Sequence, residues 1–260
     1  MPDAKNITDL TGRVAVVIGG TGGLGKAIAV GLAESGADVV PTGRREDLAK
    51  LACEEVEKVG RRSVCHTVDV AKRSSIDQLR DVILEKLGRV DILVNAAGRT
   101  ARVQAKDISE QTWHEVMDTN LTGMLRACQS FYEPLKGSGH GRVVNIASLA
   151  SFVAWYDVVA YNASKMGVLA LTQTLAIEWA RDGINVNAIA PGVFPTDLNS
   201  TVLNNTERGR EILMRTPMKR FGGREELAGA VVFLASDAAS FITGTCMPVD
   251  GGYLASGVNS

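Results

Sequence analysis

The sequence lacks the features that cross-link a chain, hold a metal or draw it to an anionic partner. Four cysteines (Cys53, Cys65, Cys128 and Cys246) form no C-x-x-C pair, and three histidines (His66, His114 and His140) are scattered. A disulfide framework and a zinc site are thereby excluded as readings, no metal is expected, and a reducing compartment follows. Charge of one sign is also missing. Lys and Arg number 28 against 29 Asp and Glu, and the formal net charge is −1. That balance offers no electrostatic footprint for nucleic acid or an anionic membrane. The first ten residues, MPDAKNITDL, hold no apolar signal core, and no apolar run approaches bilayer length. The expectation is a cytoplasmic protein whose partner is a small-molecule substrate, with neither nucleic acid nor membrane.

The chain does have a core and a rhythm. Its 260 residues are 45% hydrophobic, with 27 glycines to punctuate them, which suffices for a substantial core. Short β-branched runs predict strands at Arg13–Ile18, Asp38–Val40, Ser63–Val68, Val90–Val94, Arg142–Ala147, Ile184–Ile189 and Thr245–Val249. Helical patterns fall between them at Lys26–Ser35, Glu46–Val59, Ser74–Leu87, Trp113–Leu135, Val158–Arg181 and Glu225–Ser236. Strand–helix alternation of this kind predicts one α/β domain over 1–260: a Rossmann-type, doubly wound parallel sheet of about seven strands with helices on both faces. The least regular stretch is Pro191 to Arg224, and within it a loop at about 193–223 is expected to border the substrate.

Ligands of such sheets bind beyond the carboxyl ends of the strands. The first strand ends in Gly19-Gly20-Thr21-Gly22-Gly23-Leu24-Gly25, where glycine lets the backbone approach a pyrophosphate and the next helix offers free N–H groups. Gly19, Thr21, Gly22, Gly23, Leu24 and Gly25 are the candidate contacts; a plain glycine-rich turn is the alternative. The second strand runs into Pro41-Thr42-Gly43-Arg44-Arg45. No acid stands at its tip to bond a ribose 2′-hydroxyl, and a guanidinium matches a 2′-phosphate bidentately. Arg44, with Arg45 second, is therefore the candidate 2′-phosphate contact, against the alternative of two solvated arginines at a helix start. NADP(H) is the expected cofactor and NAD(H) the alternative.

The glycine turn, Asn95-Ala96-Ala97-Gly98, Ser148, Tyr161-x-x-x-Lys165 and Pro191-Gly192 occur in an order that resembles the short-chain dehydrogenase/reductase family along nearly the whole chain. The resemblance implies that Asp69 and Val70 contact the adenine. It implies that Asn95, Ala96, Ala97 and Gly98 pack backbone against the adenine ribose. Asn120, in Thr119-Asn120-Leu121-Thr122-Gly123, would hold a water for proton relay. Pro191, Gly192, Val193 and Thr196 would bind the nicotinamide carboxamide, and Lys165 the nicotinamide ribose. A homotetramer or homodimer is implied too, with the two long helices as candidate interface. Two positions depart from the pattern. Ile18 stands where the family usually has threonine before the turn, and Ala96 where it often has asparagine. Neither removes a catalytic group.

The chemistry of three residues follows from their spacing. Lys165 lies one helical turn after Tyr161, on the same face. An ammonium there favours the phenolate of a group whose free pKa is about 10. Tyr161 would then serve as general base in oxidation and general acid in reduction. Ser148, just past the fifth strand, would hydrogen-bond the substrate oxygen as charge develops. A serine-hydrolase reading fails, because Ser148 has no G-x-S-x-G elbow and no histidine follows it.

The expected reaction is reversible hydride transfer between the nicotinamide and a secondary alcohol or ketone. Asn199, Thr201, Asn204, Asn205, Arg208, Arg210, Arg215, Lys219 and Arg220 give the 193–223 loop a polar, cationic character. This suits a carboxylate-bearing substrate; a solvated lid helix is the alternative. The segment Thr216-Pro217-Met218-x-Arg220-Phe221-Gly222 resembles gluconate 5-dehydrogenase-like and 2-deoxy-gluconate 3-dehydrogenase-like members of the family, which implies a sugar acid or polyol. Two alternatives stand beside it: a 3-oxoacyl thioester reductase, and a non-catalytic dinucleotide-sensing protein.

Overall fold

In a computed structural model, which describes residues 6–196, 203 and 206–257, six parallel strands form one sheet. They are β1 (Val14–Ile18), β2 (Asp38–Thr42), β3 (Ile92–Asn95), β4 (Gly141–Ile146), β5 (Ile184–Pro191) and β6 (Cys246–Val249), in the order β2-β1-β3-β4-β5-β6. The helices are α1 (Gly23–Glu34), α2 (Glu46–Lys58), α3 (Arg73–Leu87), α4 (Glu110–Met117), α5 (Gly123–Gly137), α6 (Val159–Trp179), α7 (Glu207–Arg215) and α8 (Arg224–Ala235). Among the described residues no helix is long and apolar enough to cross a membrane.

Successive strand residues face opposite sides, so one short run feeds two cores. Val14, Val16 and Ile18 of β1 pack with Ile76 and Leu79 of α3, Phe131 of α5 and Val168 of α6. Ala15 and Val17 pack on the other side with Ile28 and Leu32 of α1 and Leu227 and Val231 of α8. Full burial of one such Leu, Ile or Phe stabilises the fold by about 1.5–3 kcal/mol. The contact of α1 with α8 is close because a Cβ on Gly31 would come within 2.6 Å of the Ala228 Cβ.

The sheet has six strands, not about seven. The Ser63–Val68 segment runs beside β2 but forms no ladder. Val39 N donates to the Arg62 carbonyl at 3.1 Å, and Val68 N to the Gly43 carbonyl at 2.9 Å. Between them the next donor in register belongs to Pro41, which has no N–H. Side chains fill in instead: Ser63 Oγ donates to the Val39 carbonyl at 2.8 Å, and Thr42 Oγ1 to the His66 carbonyl at 2.5 Å.

The long helix expected at Trp113–Leu135 is not one helix. It begins at Glu110, capped by Ser109, whose Oγ accepts from Thr112 N at 3.1 Å. It is then interrupted by a π-helical turn at Asp118–Thr122 before α5 resumes. Such single wide turns concentrate at functional positions, and this one carries Asn120. In the 193–223 stretch, α7 is a regular helix capped by Thr206, whose Oγ1 accepts from Gly209 N at 3.0 Å. Asn199, Thr201, Asn204 and Asn205 lie outside the described residues.

Candidate active site

Strand order reverses between β1 and β3, and the crevice at their carboxyl ends is where the candidate residues gather. Gly19 holds φ at 89°, and a Cβ on it would lie 2.5 Å from Ala97 N and 2.6 Å from the Ala96 carbonyl carbon. The turn is thus pressed onto Asn95–Gly98, with Ala96 N donating to the Ile18 carbonyl at 2.8 Å. Small residues at 96 and 97 are what this approach permits. Gly22 caps α1 without a side-chain bond, and no acid occupies the first turn. The free N–H groups and positive dipole end of α1 are left open to an anion. Gly23, opposite, would place a Cβ 3.7 Å from Thr196 Cγ2, so Pro191–Thr196 reaches the mouth of the same helix. Leu24 packs partly on the α1 core, and Thr21 closes on Gly43, where a Cβ would lie 2.7 Å from Thr21 Oγ1.

Arg44 and Arg45 follow β2 and are exposed, and Arg45 is the N-cap of α2. Neither forms an ion pair among the described residues. Asp69 is half-buried, its Oδ1 accepting from Ala71 N at 3.1 Å. Val70 is buried against Gly123, where a Cβ would lie 2.9 Å from the Val70 Cβ. The Asn95 side chain points into the sheet and away from the crevice. Its Nδ2 donates to Asn145 Oδ1 at 2.9 Å and to Cys128 Sγ at 3.3 Å, which leaves only its backbone at the strand end. Gly192 N donates to the Val249 carbonyl at 2.8 Å, and Gly222 N to that of Val193 at 3.0 Å. These bonds tie the end of β5 to β6 and to the loop before α8.

Four side chains converge below this mouth. Ser148 leaves β4, and its Oγ accepts from Ala150 N at 3.1 Å. Ser148 also lies close enough to Tyr161 to favour the phenolate. Lys165 is 4% exposed; its Nζ donates to the Ile146 carbonyl at 2.6 Å and lies 5.7 Å from the centroid of the Tyr161 ring. Burial pushes the Lys165 ammonium down to about 8. Asn120 is fully buried. Its Oδ1 accepts from Arg99 N at 2.8 Å, and its Nδ2 donates to the Arg99 carbonyl at 2.9 Å and to Ser164 Oγ at 3.0 Å. A Cβ on Gly98 would stand 3.5 Å from Asn120 Oδ1 and 3.9 Å from Lys165 Nζ, so the end of β3 closes the same pocket.

Burial raises the Tyr161 hydroxyl above its ordinary value, with Ser148 acting in the opposite direction. Sequence reasoning missed Ser164, Ser151 and Arg99. Ser164 Oγ donates to the Tyr161 carbonyl at 2.8 Å and Ser151 Oγ to the Lys165 carbonyl at 2.6 Å, fastening both ends of the Tyr161–Lys165 turn. Ser164 adjoins Lys165 in sequence, which was the one available signal. Arg99 enters through its backbone, which no side-chain pattern encodes.

The chain is similar to known proteins along nearly its whole length. A family model described as Enoyl-(Acyl carrier protein) reductase matches residues 19–254. The 2-dehydro-3-deoxy-D-gluconate 5-dehydrogenase of Dickeya dadantii is 41% identical over 251 residues, spanning 96% of this chain and 98% of that protein. The crystal structure of a gluconate 5-dehydrogenase from Burkholderia cenocepacia, in complex with NADP and tartrate, superposes with a TM-score of 0.93. It is 34% identical and covers 97% of this chain and 99% of that one. An NADP-bound structure from Agrobacterium tumefaciens, described as a candidate 2-deoxy-D-gluconate 3-dehydrogenase, is 42% identical with a TM-score of 0.89, over 96% of this chain and 100% of that one.

Proposed function

This chain belongs to the short-chain dehydrogenase/reductase family, and from that premise we propose that it is an NADP(H)-dependent dehydrogenase of a sugar acid. The observation that carries the reading is the buried Lys165, its Nζ 5.7 Å from the Tyr161 ring centroid and bonded to the Ile146 carbonyl at the end of β4, with Ser148 beside Tyr161. A binding-only protein has no need of that set. NADP in two structural relatives, and gluconate-type names among them and the sequence relatives, support the cofactor and substrate class.

The residues present fit a dinucleotide. Gly19, Thr21, Gly22, Gly23, Leu24 and Gly25 with the start of α1 would hold the pyrophosphate, in a cradle that a Cβ at Gly19 would close. Arg44 and Arg45 would hold the 2′-phosphate, and Asp69 and Val70 the adenine. Asn95 to Gly98 would support the ribose, and Pro191, Gly192, Val193 and Thr196 the carboxamide. Tyr161 and Lys165 would reach the nicotinamide ribose. When bound, the nicotinamide supplies or accepts the hydride.

The chain's own residues handle the proton. Tyr161 takes the proton of the substrate hydroxyl in oxidation and returns it in reduction. Ser148 orients the substrate oxygen and donates to it as negative charge grows. Lys165, which burial lowers to about 8, releases a proton from its ammonium and takes one back as the neutral amine, so it can relay the Tyr161 proton in the pocket it shares with Asn120. The exposed Met166 and Ile177 on α6 support a homodimer or homotetramer built on the long helices.

The test is oxidation of gluconate and related sugar acids with NADP and NAD side by side, followed at 340 nm. Faster turnover with NADP supports the proposal. Failure on every sugar acid, with turnover of an acyl thioester or a plain ketone, keeps the acid/base set and discards the substrate.

A further inference from the structure

The chain between Ser148 and Tyr161 links the two reacting hydroxyls, and it is pinned. The Trp155 carbonyl accepts from Asn162 Nδ2 at 3.0 Å, and the Asp157 carbonyl from Val103 N at 2.7 Å. Asp157 adopts φ 63° to do so, a conformation uncommon outside glycine. On this strap the Trp155 indole stacks on Tyr253, with centroids 6.0 Å apart and planes at 17°. The guanidinium of Arg208, from the start of α7, lies 5.3 Å from the Trp155 centroid.

Arg208 is half-buried, yet it has no ion pair or hydrogen bond among the described residues. The charges around it are Arg102, which repels it, and Asp157 and Glu211, which attract it from a distance. Burial disfavours its charge further. Arg102 is itself held only loosely, with its Nη2 3.9 Å from Asp157 Oδ2. The two guanidiniums repel each other, and among the described residues neither has a carboxylate closer than 3.9 Å, while that of Arg208 lies over the Trp155 indole. Such an arrangement gains when a carboxylate enters, because a guanidinium gives it two parallel N–H bonds and the aromatic face fixes the fork.

We infer that Arg208, seated on Trp155 and facing Arg102, binds the carboxylate of the substrate and so selects sugar acids over neutral polyols. The inference rests on the sugar-acid reading above and locates its recognition on α7. Substrate enters with its carboxylate at Arg208, over the middle of the strap, and its reacting hydroxyl at Ser148 and Tyr161, where the strap begins and ends.

The experiment compares wild type, Arg208→Gln and Arg208→Lys on gluconate and on glucitol, its neutral counterpart, at saturating NADP. For Arg208→Gln the expected result is a rise in KM for gluconate of about 30-fold, with kcat changed little. Glucitol kcat/KM should stay near wild type. Arg208→Lys keeps the charge but not the planar fork and should fall between. An unchanged gluconate KM in Arg208→Gln, or equal losses on gluconate and glucitol, overturns the inference while leaving the sugar-acid reading intact. Wild type inactive on gluconate overturns that reading and this inference with it.

Discussion

Lys165 Nζ donates to the carbonyl of Ile146 at 2.6 Å, the only polar contact that holds this ammonium, in a pocket where 4% of the residue meets solvent among the described residues. One hydrogen bond does not replace a hydration shell. Burying this charge costs the fold stability.

Lys165→Met should therefore abolish turnover and raise Tm. The folded pKa is depressed from 10.5 to about 8, so the folded protein binds fewer protons than the unfolded chain between those values. The destabilisation is full below about pH 8 and is relieved as the pH rises through 8 towards 10.5. Thermal melts at pH 7 should place the variant about 3–6 °C above wild type, with the gap closing towards pH 10. A lower Tm for the variant at pH 7 would contradict this.

How much of this was legible beforehand differs by element. β1 was plain because five consecutive apolar residues met a glycine cluster. The Ser63–Val68 segment looked like a strand on the same grounds, yet Pro41, visible in the neighbouring strand, withdraws the donor that its ladder needs. The π turn at Asp118–Thr122 has no signature of its own, since a helical pattern tolerates one wide turn. In the candidate site, the sequence order of the candidate residues was legible but their packing was not. The spacing of Tyr161 and Lys165 is a sequence property, whereas the burial that lowers the lysine's pKa arises from the ends of β4 and β3 closing around it. The Arg208–Trp155 contact joins segments far apart in the chain, so only the fold brings it into view.

Arg44→Ala should separate the two cofactors. A lost bidentate phosphate contact should raise the Kd for NADPH about tenfold or more and leave NADH within about twofold. Isothermal titration with both cofactors measures it. Equal losses would remove Arg44 from the 2′-phosphate.

Gly19→Ala tests the cradle. Its Cβ would meet Ala97 N at 2.5 Å in a backbone held at φ 89°. That strain amounts to about 1–3 kcal/mol. The expected result is a lower Tm together with NADPH affinity reduced about tenfold or more. Unaltered NADPH binding would show that the turn does not seat the pyrophosphate.

His140 governs a pH dependence at the opposite end of the sheet. Burial holds its imidazole below 6.5, Arg142 and Arg13 add repulsion, and Asp237 at 3.2 Å and the Ala235 carbonyl oppose them. The unfolded chain therefore binds the proton first as pH falls through 6.5, and stability is lost below that value. His140→Gln should flatten the decline in urea-unfolding free energy between pH 7 and pH 5. An equally steep decline in the variant would assign the pH dependence elsewhere.

The most direct test of the central claim is Tyr161→Phe, because it removes one hydroxyl and leaves the ring. NADPH affinity, read by titration, should stay within about threefold of wild type, while kcat on the sugar acid falls about a thousandfold. Retention of a substantial fraction of kcat would contradict Tyr161 as the acid/base.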